Sequence, residues 1–459
     1  MKQHSFWTAL CLLFAAVPIT GQTIKSSMEF APSEHWIKPV EKPYREEICL
    51  NGTWAFAPVQ LPAGFKEGET PAPALPGVNE VTFSKTPIRI PSPWNVNSFA
   101  DKNGLGGDHR TYPSYPKEWE SIKMGWLQKK FTVPASWKGK RIQIHFEAVA
   151  GKADIYVNGK AVGNNFDIFM PFDIDITDAV KFGQENTLNV GIQKSSLFDD
   201  RKSPLGRRTY QGGSFWGQHI AGIWQDVYLV ALPQTRVADV YIQPIVNKNT
   251  LEVEVTLRND ENKPVEVNIS AAAYPWISKA GKTVLTAANP SSQLGSQAAL
   301  QMPTQKVTIP AGKEIKTTLK TTVDNKLKLW SPSSPNLYGL VVKTSVNGKT
   351  NDSKYTRFGW RQTELKEGKF WLNGKPFVLK GDSWHYMGIP QMTRRYPWAW
   401  YTALRDANCN AVRLHAQPFP SFYLDVADEM GILVLDESAM WASDGGQKLG
   451  SEEFWKCSE

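Results

Sequence analysis

The sequence predicts a multidomain chain: two all-β domains in succession, then the opening of a (β/α)8 TIM barrel. Three observations predict it. From Leu50 to about Val230 short strands follow one another with no long helical pattern between them, which argues a sandwich or jelly roll. After Pro233 a second alternating set begins and runs to about Arg361 as a smaller, immunoglobulin-like sandwich. From Phe370 to Asp436 the pattern becomes strand, helix, strand, helix, strand, which means parallel pairing with right-handed crossovers. The expected divisions are 1–21 for a signal peptide, 22–232 and 233–362 for the two β domains, and 363–459 for a truncated start of the barrel.

The N-terminus reads as a targeting segment rather than as structure. Lys2 gives a basic start, Phe6 to Ile19 is mostly apolar but too short to span a bilayer, and Thr20-Gly21 supplies small residues for cleavage. Leu10 stands before Cys11 where a lipoprotein signal wants a small residue, so the expectation is a secreted or periplasmic protein without a lipid anchor. Residues 22–48 read as a polar lead-in. No later stretch approaches the length of a membrane span. Cleavage leaves Cys49, Cys409 and Cys457, too few and too scattered for a disulfide framework or a zinc site, so they read as small buried hydrophobes. The net charge of +8 is spread without a basic run, which describes a solvated surface and not a nucleic-acid partner.

In the first β domain Arg141 to Glu147 alternates strictly, with Ile142, Ile144 and Phe146 on one face. Ala153 to Val157 alternates again and runs into Asn158-Gly159, a hairpin signal because a type I′ turn needs positive φ at both central residues. Thr187–Ile192 and Trp224–Val230 continue the pattern. Three long loops interrupt it, at 60–80, 101–120 and 197–217, the last two carrying aromatic and charged residues that either bind a ligand or cover the sandwich edges. In the second domain Leu251–Leu257 is a half-buried strand, expected to pair with Val265–Ile269 across Asn259-Asp260. Residues 279–304 read as a surface insertion, and the domain as a spacer.

The barrel segment holds the candidate chemistry. Phe377–Gly381 is expected as its first strand, Asn410–Leu414 as its second and Ile432–Leu435 as its third. Continuous apolar runs suit strands buried on both faces. Pro397 opens a helix with Trp400, Leu404 and Ala407 on one face; Phe422, Val426 and Met430 follow at helical spacing, and Gly431 stops them. Each strand ends in polar residues: Asp382, Ser383 and His385; then Arg413 and His415; then Asp436 and Glu437. Such residues at the C-terminal ends of barrel strands line its active site. Trp384 and Trp441 add flat apolar faces suited to a sugar ring, whereas Trp398 and Trp400 fall in a helix and read as packing. No metal or other cofactor is indicated: there is no His pair at i, i+4 and no Asp-rich loop.

These motifs, in this order, resemble glycoside hydrolase family 2. Leu50-Asn-Gly-Thr-Trp54, Gly125–Pro134, Val157-Asn-Gly-Lys160, Pro171–Thr177 and Gly222–Tyr228 resemble its jelly-roll sugar-binding domain. Phe358-Gly-Trp-Arg361, Phe370–Phe377 and Lys380-Gly381 resemble its entry into the barrel, and Asn410–Arg413 and Asp436-Glu437 the ends of the second and third strands. The resemblance implies a retaining exo-β-glycosidase acting on a glycan. It implies that Arg413 supports the catalytic carboxylates and that His385 is a pocket residue. It does not carry over the β-galactosidase sugar contact, because Ala416 stands where the family's second His is found and His415 comes one residue early.

Retaining hydrolysis needs two carboxyls about 5–5.5 Å apart. The family keeps its acid/base after the fourth strand and its nucleophile after the seventh, beyond the three strands read here. Adjacent strand residues point to opposite sides, so Asp436 and Glu437 cannot form the pair. Asp382 and Glu437 could face one another across the barrel mouth, or both could brace it. The expectation is therefore a fragment with no catalytic residue of its own, whose residues 364–459 fold poorly alone. The alternative is a non-catalytic secreted carbohydrate-binding protein. Nothing in the sequence sets the sugar, the linkage or an oligomeric state.

Overall fold

The computed structural model describes residues 35–95, 115–199, 220–279, 292–386, 388, 391–439 and 452. The first domain is two facing antiparallel sheets. The smaller has the order Glu46–Cys49, Val227–Leu232, Arg141–Phe146, Phe172–Asp175. The larger centres on Val149–Val157, Glu185–Gln193, Met124–Thr132 and Gly52–Val59. Alternation set the strands: Ile142, Ile144 and Phe146 are fully buried between the sheets. Asn158 and Gly159 both have positive φ, at 53° and 81°, and join Val149–Val157 to Lys160–Asp167 as the type I′ turn requires.

The lead-in is more than a solvated tail. Glu46–Cys49 is an edge strand, Ile37 is buried, and Trp36 stacks on His145 with ring centroids 3.9 Å apart. His145 lies on the outer face of its strand and is nevertheless buried because this segment covers it. The 60–80 loop packs as well: Leu61, Phe65 and Leu75 join Trp126 and Leu197, and the Trp126 indole donates to the Pro76 carbonyl at 2.9 Å. Most of the loops at 101–120 and 197–217 lie outside the described residues, as do the signal segment and Cys457. Cys49 is exposed and Cys409 half-buried, so neither is the buried hydrophobe expected.

In the second sandwich the expected hairpin does not form. Thr250–Asn259 pairs with Thr235–Ile245 and Glu314–Thr322, while Val265–Ser278 belongs to the facing sheet beside Gln305–Ile309 and Leu337–Val346. The chain crosses between sheets at Asn259, whose buried amide donates to the carbonyls of Lys263 and Ile309 at 2.9 and 3.1 Å. The supposed insertion contributes short strands at Ser292–Leu294 and Leu300–Gln301, with Leu300 buried.

The barrel segment is three parallel strands, Gly381–His385, Ala411–His415 and Leu433–Asp436, joined by helices Arg395–Asp406 and Ser421–Met430. The first strand starts where the expected one ended. Residues 377–380 are a connector with Val378 exposed, so Asp382 and Ser383 lie inside the strand and not beyond it. The helices bury Tyr401 and Leu404, and Tyr423, Val426 and Ala427, with Trp398 and Trp400 packed partly buried around them. Gly431, at φ 74°, ends the second helix in the left-handed region. Among the described residues no helix is long and apolar enough to cross a membrane.

The second sandwich clamps its neighbours. Arg45 from the lead-in forks onto the fully buried Asp352 with bonds of 2.9 and 2.6 Å. Arg357 bonds Asp425 at 2.5 Å and Glu429 at 2.6 Å, and Arg361 bonds Asp428 at 2.8 Å, all three acids on the second barrel helix. Trp330 donates to the Asp428 carbonyl at 2.8 Å. The first domain meets the barrel through Trp224 and Tyr386, both buried, with centroids 5.7 Å apart.

Candidate functional site

In a parallel sheet, residues in register share a face and successive residues alternate. Asp382, Val412 and Val434 share one face, and Trp384, Leu414 and Asp436 continue it. That face meets the helices: Val412 and Leu414 are buried, and Trp384 packs against Trp400 with centroids 5.9 Å apart. The other face is the barrel interior. It carries Ser383, Arg413 and Leu435 in one layer, then His385 and His415 with Glu437 above.

The sequence-level candidates divide between these faces. His385, Arg413, His415 and Glu437 come together on the inner face. Asp382 and Asp436 stand on the helix side, so Asp382 and Glu437 do not face one another. Asp382 is exposed and accepts the backbone N–H of Ser383 at 2.8 Å. Burial holds the Asp436 carboxyl above its usual range, with the Glu437 charge adding to that against a stabilising backbone hydrogen bond. Trp441 lies outside the described residues.

The inner cluster has a definite order. Arg413 Nε donates to Glu437 Oε1 at 2.5 Å, and the Ala416 N–H donates to Oε2 at 2.8 Å. Burial raises the Glu437 carboxyl, but these two hydrogen bonds and the Arg413 charge outweigh it and hold the group below its ordinary value. The Arg413 side chain is 45 % exposed, so its pairing with Glu437 is a half-open one. The His385 and His415 rings meet nearly at right angles, with centroids 4.1 Å apart. Burial lowers the His385 pKa, and the neighbouring His415 and Arg413 lower it further against the pull of Glu437. A neutral imidazole donates and accepts at once, which suits a hydroxyl-bearing ligand.

Sequence reasoning missed two neighbours. Ala416 has φ 67°, a left-handed conformation unusual for a residue with a Cβ, and this turn aims its N–H at Glu437. Gln417 is fully buried, and its Oε1 has no hydrogen-bond partner among the described residues. Neither residue type signals such a role in a sequence. No group of three metal-ligating side chains occurs among the described residues. Of the acids on the three strands and the residue after the third, Glu437 alone is on the inner face, and both its oxygens are committed.

Three family models match in succession. Residues 48–233 match the sugar binding domain of glycosyl hydrolases family 2, residues 235–361 match the model named glycosyl hydrolases family 2, and residues 363–457 match that family's TIM barrel domain. A β-galactosidase of Thermoanaerobacter pseudethanolicus is 29% identical over 363 residues, 76% of this chain and 43% of that protein. A putative β-glucuronidase of Formosa agariphila is 28% identical, covering 80% of this chain and 39% of that protein. The solved β-glucuronidase 2 of Bacteroides uniformis, covalently bound to cyclophellitol-6-carboxylate aziridine, shares the fold with a TM-score of 0.62. It is 20% identical and matches 86% of this chain and 42% of its own. The chain spans less than half the length of these relatives.

Proposed function

This chain belongs to glycosyl hydrolases family 2, and from that premise we propose that it is the front part of an exported, retaining exo-β-glycosidase. The substrate is a glycan with a terminal β-linked sugar. The observation that carries the reading is the inner-face cluster of His385, Arg413, His415 and Glu437. It presents ring nitrogens and a guanidinium where a barrel keeps its substrate, and its single carboxylate is already held by two donors. A nucleophile must be able to leave its partners for the sugar, so Glu437 orients Arg413 and the pocket instead. The general acid and the nucleophile belong to later barrel strands. Export rests on the apolar segment Phe6–Ile19 and the small residues after it.

The test compares residues 22–459 with a polypeptide that supplies the remaining barrel strands, on aryl β-galactoside and aryl β-glucuronide. Turnover is expected from the longer product alone. Turnover by residues 22–459 would overturn the assignment of the carboxyl pair. Failure of both, with saturable glycan affinity, would favour a binding protein without catalysis. In an active longer product, Arg413→Ala is expected to lower kcat on the order of 100-fold, by letting the pocket carboxylates drift from their positions.

A further inference from the structure

A cavity of about 360 Å³ lies where the lead-in, both β domains and the second barrel helix meet. Its volume falls within the range of small-molecule sites. The barrel reaches it from the helix side, through Ser421, Phe422 and Asp425, and none of the inner-face cluster lines it.

The walls offer three kinds of contact. Trp36, Tyr228 and Phe422 supply aromatic surface. Glu147 and Asp226 supply acceptors. The Asp226 oxygens already take hydrogen bonds from Asn51 Nδ2 at 2.8 Å and from the Tyr228 hydroxyl at 2.9 Å, which leaves further lone pairs on each. The described contact of the Glu147 carboxylate is His145 Nε2 at 3.4 Å. Lys354 supplies the donor. Its Nζ lies 5.8 Å above the Trp36 ring and finds no hydrogen-bond acceptor among the described residues. Burial holds this amine below its usual value, and Arg45 adds to that, so an ammonium there gains from a polar guest.

The combination selects a ligand class. A hydrocarbon would leave Lys354 without an acceptor and the remaining lone pairs of both acids unused. Arg357 and Arg394 on these walls are already tied to Asp425 and Glu429, and Lys38 and Lys354 stand among Glu41, Glu147 and Asp226, so a carboxylate finds mixed charge and not a cationic cradle. A hydroxyl group donates to the acids and accepts from the amine, and the C–H faces of a pyranose pack on aromatic rings. We propose that this three-domain cavity binds a neutral saccharide unit, its hydroxyls bridging Lys354 to Glu147 and Asp226. The site needs no turnover and so goes beyond the glycosidase reading.

Calorimetric titration of the chain from residue 22 tests it, with the methyl β-glycosides of galactose, glucose and mannose, and with D-glucuronate. At least one neutral glycoside is expected to bind saturably. Lys354→Met should weaken it about tenfold, the size of one charge-assisted hydrogen bond. Ser421→Trp, at an exposed position on the wall, should fill the space and abolish binding. His385→Ala should leave it unchanged. Thermal melts check folding, and if Lys354→Met does not fold, Ser421→Trp decides. Absence of binding in the whole panel, or binding that survives both cavity variants, would overturn the proposal. Loss of binding in His385→Ala would assign the sugar to the barrel face instead. Tighter binding of D-glucuronate than of every neutral glycoside would overturn the ligand class. The glycosidase reading fails separately, on turnover by the completed barrel.

Discussion

The second sandwich and the barrel segment are both sheets, yet they stand at opposite ends of completeness. In the sandwich Leu251, Val253, Val255 and Leu257 are fully buried against Val267, Ile269, Leu340 and Val342 of the facing sheet. In the barrel segment the helices bury Tyr401, Tyr423 and Val426 fully, while on the inner side Leu435 remains 46 % exposed. The first barrel strand is exposed along Gly381–Trp384. The strands that close the second sandwich all lie within residues 235–359. A parallel barrel covers its interior only when all its strands face one another. The barrel segment therefore leans on its neighbour, through Arg357 and Arg361 of the sandwich and three acids of one helix.

Four measurements would break or sharpen that contrast. The largest effect is expected at the clamp. Asp352→Ala leaves the Arg45 guanidinium buried without its carboxylate and should cost about 3–5 kcal/mol in denaturant unfolding. An unchanged midpoint would mean that the second sandwich does not depend on that pair.

The first β domain should also carry a pH signature. Burial opposes charge on His145, but Asp173 and Glu147 more than offset it and raise the pKa to about 9 from 6.5. A raised folded value stabilises fully below the unfolded pKa and is lost as pH rises through the folded one. Stability should thus fall between pH 6.5 and about 9, by at most about 3 kcal/mol. His145→Gln should flatten that slope, and a slope that persists would place its origin elsewhere.

A smaller effect should stay within the barrel segment. At Gly431 the φ of 74° disfavours any side chain, and a Cβ would overlap the Pro332 carbonyl oxygen. Gly431→Ala should cost about 1–3 kcal/mol, read as faster hydrogen exchange over 421–436. Equal acceleration throughout both sandwiches would show one cooperative unit in place of two. The smallest effect is expected at Glu437→Gln. Its ion pair with Arg413 is half-open, so stability should change by less than about 1 kcal/mol. Yet the His385 pKa, which Glu437 raises, should fall further in an NMR titration. A His385 that titrates as before would mean that the two groups do not share a pocket.

Much of the fold was legible because local chemistry fixed it. Asn158-Gly159 turned as read, Gly431 stopped its helix, and Ile142, Ile144 and Phe146 faced the core. The errors arose where tertiary contacts decide. Alternation shows that a strand has two different faces, but not which strand covers either. Residues 251–257 and 265–269 therefore looked like a hairpin and proved to lie in facing sheets. His145 falls on the face opposite Ile142, Ile144 and Phe146, and Trp36 from the lead-in stacks on it there. The apolar run 377–380 looked like the first barrel strand, but the ladder begins at Gly381, where the Gly381 to Ala411 register starts.

The candidate site follows the same division. The sequence by itself determined which residue types gather at the barrel strand ends, because strand and helix periods place them there. The tertiary structure decided which of them meet. A shift of the first strand by a few residues set the side on which Asp382 falls, and parallel register placed His385, Arg413 and His415 together. The left-handed turn at Ala416 brought a backbone N–H onto Glu437. Register and backbone handedness at a strand end arise from the packing of whole elements, and no single residue's preference encodes them.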